Sequence, residues 1–120
     1  MNDTIQKFGY PNTLIKEYNN WVILLRNEQI TLGSLILANK DDITSLSQIS
    51  KEGLEELKLV FSQIETILKR VYGMEKINYL ALMMVDKHVH YHVIPRYSKE
   101  ISINGIVMRD IGWPGLPDFS

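Results

Sequence analysis

The sequence predicts an α+β domain, a meandering antiparallel sheet with one long amphipathic helix. Three observations predict it. Two short β-favouring apolar runs, "WVILLR" at 21–26 and "SLILA" at 34–38, lie close enough to pair as neighbours. An apolar stripe at intervals of three and four follows, over residues 50–72. Strand-like runs then return at 77–85 and 88–94, so strands, a helix and strands succeed one another along the chain.

Taken in order, residues 1–10 carry no clear period. Tyr10-Pro11-Asn12 signals a turn, and 13–18 reads as a short strand or a single helical turn. Asn19-Asn20 is a tight connection into "WVILLR", a continuous run of the kind a buried strand shows. Gly33 precedes "SLILA", and the polar 38–50 that follows has some helical character around 43–46. Leu54, Leu57, Val60, Phe61, Ile64, Ile67, Leu68 and Val71 then mark one face of the long helix. Ser50 suits its N-cap, Glu52 its first turn and Gly73 its C′ position, while Gly53 is out of place so near the start. "INYLALMMV" at 77–85 predicts a strand buried on both faces, with Asp86-Lys87 as a sharp hairpin turn or bulge after it. Met83 and Met84 are expected in the core.

The length, 120 residues, fits one domain over 1–120, with 98–120 a C-terminal extension ending in the Pro- and Gly-rich "WPGLPDFS". Net charge is −1, so no basic excess exists to hold a nucleic-acid backbone or a membrane surface, although a small anion could bind locally. Cysteine is absent, which removes disulfides, thiolate zinc sites and cysteine nucleophiles together. The N-terminus lacks a signal-peptide pattern and no run is long enough to span a bilayer. The expectation is a soluble, cytoplasmic protein.

All three histidines fall in five positions, His88, His90 and His92, alternating with Val89 and Tyr91. On a strand such a spacing puts three imidazoles on one face and Val89, Tyr91 and Val93 on the other. A surface strand that happens to be histidine-rich leaves the clustering unexplained. A metal site is the second reading, but His88 and His92 would have Cα atoms about 13 Å apart, too far for one tetrahedral ion to take all three. Two of them with Asp86 remain open as ligands. The third reading is chemistry at phosphorus. A neutral imidazole is a nucleophile near neutral pH, and a neighbouring ring can donate to a phosphate oxygen or a leaving group. His90 is the natural nucleophile, being flanked on each side.

The stretch from His88 to Ile94 resembles the signature of the histidine triad family, His-φ-His-φ-His-φ-φ with φ apolar, at seven of seven positions, and Pro95-Arg96 is a frequent continuation. The resemblance covers roughly 13–97. It implies a homodimer whose sheets join, with a small-molecule nucleotide as partner. The activity implied is hydrolysis or transfer at the α-phosphorus of adenosine phosphate conjugates, such as dinucleoside polyphosphates or phosphoramidates. His90 would become nucleotidylated, His92 would donate to the phosphate or leaving group, and His88 would orient His90. No cofactor is required, though magnesium can arrive with a polyphosphate.

Two positions depart from that pattern. Ser34 stands where many members have a further histidine, and it could hydrogen-bond the phosphate or the triad. Met84 stands where many have a glutamine, and Asp86 either holds a triad imidazole or caps a turn. A slow enzyme, or a nucleotide binder with little turnover, is the alternative these losses imply, since each donor aimed at developing charge is worth a few kcal/mol. Asn27 lies where relatives contact the ribose. Arg96 is expected to be solvated, and Trp113-Pro114-Gly115 either folds over a partner subunit or lies on the surface.

Overall fold

A computed structural model describes residues 1–120. Five antiparallel strands form the sheet: β1 (Leu14–Glu17), β2 (Trp21–Leu25), β3 (Leu35–Asn39), β4 (Lys76–Leu80) and β5 (His90–Arg96). Their spatial order is β1-β2-β3-β5-β4, which puts the histidine strand inside the sheet and leaves β1 and β4 as edges. The run "WVILLR" pairs with "SLILA" as expected, Trp21 opposite Asn39 and Leu25 opposite Leu35. A separate hairpin, β6 (Ile101–Ile103) with β7 (Ile106–Met108), follows.

The long helix, here α2 (Lys51–Tyr72), has the ends its sequence predicts. Ser50 caps it by accepting from the Gly53 N–H at 2.9 Å, and Gly73 ends it at φ +68°, a conformation glycine adopts without strain. Gly53 has a packing reason for its place. A Cβ there would lie 3.0 Å from the Ile49 side chain and 3.1 Å from the capping hydroxyl. Its carbonyl accepts from the Trp21 indole at 2.8 Å, tying the helix start to β2. Leu57, Val60, Ile64 and Leu68 then pack on Trp21, Ile23, Leu35, Leu37 and Val93, the sheet face opposite the histidines.

The histidine face is covered by something the sequence did not reveal, the short helix α1 (Asp3–Lys7). Five residues are too few to show a period. Asn2 is its N-cap, accepting from Ile5 N–H at 3.0 Å, and the same side chain donates to the Asn39 and Asp41 carbonyls at 3.0 and 3.1 Å. One amide thus starts the helix and pins it to the end of β3. Ile5 seats against Val22, Leu24, Ile36 and Ala38, with Phe8 beside them.

Three expectations are corrected. The strand expected over 77–85 stops at Leu80; Met84 is 81 % exposed and Val85 87 %, so Met84 is surface rather than core. Residues 81–89 make a long connection in place of a hairpin at Asp86-Lys87. Arg96 is buried, bonded through Nε and Nη2 to the Asp110 carboxylate at 2.7 and 3.1 Å. That paired fork ties the 98–120 segment back to β5, because an unpartnered buried guanidinium would be strongly destabilising. No helix is long and apolar enough to cross a membrane.

Candidate active site

The sheet register brings the site together. His90 opposes Ala38 and His92 opposes Ile36, so both imidazoles rise from one face, side by side, with ring centroids 5.1 Å apart. His88 lies outside the strand, which begins at His90. The three do not form a single row on one strand, as alternation alone predicts. The 88–89 backbone is nevertheless fixed: Val89 N–H donates to the Ile43 carbonyl at 2.9 Å, and the Val89 carbonyl accepts from Asn39 N–H at 3.0 Å.

His88 contributes in two directions. Its carbonyl accepts from His90 Nδ1 at 2.7 Å. A carbonyl can only accept, so in neutral His90 the proton sits on Nδ1 and the lone pair on Nε2. The His88 ring turns toward α1, where the Thr4 hydroxyl takes the His88 backbone N–H at 3.2 Å and lies 3.0 Å from His88 Nδ1. Asp42 lies 3.8 Å from the far nitrogen, Nε2.

His90 is 2 % exposed and His92 9 %. Phe8 covers both, with centroid distances of 5.5 and 6.0 Å, and Phe119 meets His92 edge-on at 5.9 Å. The Phe119 ring also lies under the Arg26 guanidinium at 5.4 Å. His92 Nδ1 is buried without a hydrogen-bond partner. Burial first, then the charges of His90 and Arg26, lower the His92 pKa to about 4, against a smaller opposing pull from Asp86. His92 is therefore neutral at neutral pH.

The other predicted residues are placed differently. Ser34 is fully buried, and its hydroxyl is engaged within its own turn, donating to the Thr31 carbonyl at 2.7 Å and accepting from Thr31 N–H at 3.1 Å. Asn27 is exposed and makes no side-chain hydrogen bond to the site. Asp86 pairs with Lys7 of α1 at 2.5 Å. Sequence reasoning missed Thr4, Phe8, Arg26 and Phe119, which come from the chain's beginning, the end of β2 and the tail. Only the fold brings them to the histidines. No three His, Cys, Asp or Glu side chains converge as a metal-holding group.

The fold and site are those of an α+β protein with two buried, adjacent imidazoles on an inner strand of its sheet. The family follows from the comparisons. A family model described as HIT domain matches residues 7–99, and the chain belongs to that family, the histidine triad proteins. A search of curated proteins gives no match. Among solved structures, the chain is similar to a histidine triad protein of Sinorhizobium meliloti, with 24 % identity, TM-score 0.73, and coverage of 97 % of this chain and 76 % of that one. It is also similar to a hypothetical histidine triad nucleotide-binding protein of Sulfolobus tokodaii, at 18 % identity and TM-score 0.66, covering 75 % and 64 %. Against the C. elegans NitFhit protein identity is 14 % and TM-score 0.66, over 72 % of this chain, and the chain spans only 22 % of that protein's length.

The neutral state of His92 has a consequence for stability. Its pKa of about 4 in the folded protein lies below the ordinary 6.5, so the unfolded chain takes up a proton first as pH falls. The stabilisation is present above about pH 6.5 and is lost progressively toward pH 4. Urea unfolding at pH 7.5 and 4.5 should show a larger drop in wild type than in His92→Gln. Equal drops would mean that His92 titrates normally.

Proposed function

We propose that the chain is a nucleotide-binding enzyme that cleaves at the α-phosphorus of nucleoside phosphate conjugates, adenosine conjugates first among them, through His90. The observation that carries this reading is the His90 ring held by the His88 carbonyl with Nε2 as its basic nitrogen. Family membership and the Sulfolobus relative described as nucleotide-binding support the substrate class. In the first step, His90 Nε2 forms a bond to phosphorus while the bond to the leaving group breaks. The positive charge on the ring is shared with Nδ1–H, which stays on the His88 carbonyl. In the second step, water attacks phosphorus and loses a proton, the P–N bond breaks, and nucleoside monophosphate leaves with His90 neutral again. His92, neutral and adjacent, supplies an N–H to the phosphate oxygens or leaving group, and its partnerless nitrogen fits that task.

A second reading, a nucleotide binder with little turnover, is favoured by one observation. The Ser34 hydroxyl is spent on its own turn, and Met84 points no hydrogen-bonding group at the site. Dinucleoside polyphosphate, adenosine phosphoramidate and adenylyl sulfate should be assayed for AMP release with wild type and His90→Ala. The enzyme reading expects release from at least one, reduced at least 10²- to 10⁴-fold in the variant on the scale of losing a nucleophile or its base. AMP binding without release from any of them would leave the binder.

A homodimer belongs to the same proposal. The β4 edge is unpaired, and exposed Leu82, Met84 and Val85 follow it directly. Sedimentation should give twice the 13.9 kDa of the chain. A single-chain mass would remove the dimer and leave the chemistry standing.

A further inference from the structure

Arg26 lies next to His92, with the Phe119 ring between them, and neither the motif nor the mechanism above uses it. It follows the last residue of β2, and alternation places it on the face of Leu24. Leu24 opposes Ile36 on β3, which opposes His92 on β5, so Arg26 stands on the histidine face one step along from the His92 row. The contact with Phe119, which also touches His92, shows that the guanidinium reaches toward the imidazole.

Its own bonding is incomplete. Nη1 donates to the Glu28 carbonyl at 2.6 Å, Nε is buried without a partner, and no carboxylate lies within ion-pair distance. Burial lowers its pKa, and its charge in turn helps to lower that of His92. Glu28 offsets part of the lowering at Arg26 through its charge without forming an ion pair. A partly buried guanidinium with no paired carboxylate is costly to keep, and Arg96 of this same chain shows the usual remedy in its buried carboxylate. A guanidinium fork matches phosphate oxygens and offers two parallel donors.

We propose that Arg26 is an anion-binding residue of the site, placed to hold a second phosphate of the ligand besides the one at the histidines. The proposal rests on the nucleotide reading of the triad and narrows its substrate class to ligands with two or more phosphates. The second phosphate can belong to a polyphosphate chain or to the ribose. Both present anionic phosphate oxygens to the fork. Phe119 occupies the space between Arg26 and His92, so a phosphate reaching both displaces its ring.

Calorimetric affinities for AMP, ADP and adenosine 3′,5′-bisphosphate decide the matter, measured on wild type, Arg26→Gln and Arg26→Lys, each checked for fold by circular dichroism. Wild type should bind one of the doubly phosphorylated ligands about 10-fold or more tighter than AMP, as a charge-assisted contact allows. Arg26→Gln should bring that ratio to within about 2-fold, and Arg26→Lys should restore part of it. Preference for ADP assigns the phosphate chain, and preference for the bisphosphate assigns the ribose phosphate. AMP binding with no preference in wild type, or a preference surviving in Arg26→Gln, overturns the assignment and leaves the nucleotide reading intact. Failure of wild type to bind all three overturns the nucleotide reading and this one with it.

Discussion

The hydrogen bond from His90 Nδ1 to the His88 carbonyl, 2.7 Å long, is the constraint on which the site depends. It decides which nitrogen of a buried ring is basic, and it does so with a main-chain atom that cannot exchange roles. For that carbonyl to face the ring, residues 88 and 89 must be held just outside the strand. Val89 bonds to both Ile43 and Asn39, and Thr4 bonds the His88 backbone and ring. The motif thus contains its own orienting group. The first histidine acts through its backbone on the second, while its imidazole anchors the N-terminal helix.

The sheet separates two tasks by face. One face packs the long helix and supplies the larger apolar cluster. The other carries the imidazoles and is closed by α1, Phe8 and Phe119. Closure excludes water, keeps His92 neutral and strengthens every charge interaction there. It also makes Arg26 conspicuous, since a positive charge in that setting has more influence than one in solvent.

Much of the frame was legible because its signals are local. Ser50, the three–four stripe and Gly73 mark the helix from cap to cap, and the two short apolar runs pair as their spacing predicts. The apolar run 77–85 misled because hydrophobicity alone does not tell a buried strand from an exposed connection. Lys76–Leu80 is strand, and Leu82, Met84 and Val85 face outward. The partners of the histidines were illegible for a different reason. Thr4 and His88 are 84 residues apart in sequence, and Asp110 reaches Arg96 only because the chain returns after the β6–β7 hairpin. A five-residue helix and a tail with two prolines show no period from which such contacts could be foreseen.

The tautomer of His90 is what ¹⁵N chemical shifts of the imidazole nitrogens measure directly. With only three histidines in the chain, single substitutions assign each ring. In its neutral form His90 is expected to show a protonated Nδ1 and a bare Nε2. A proton on Nε2 in that form would contradict the expectation, because the nitrogen offered to phosphorus would then have no lone pair to give.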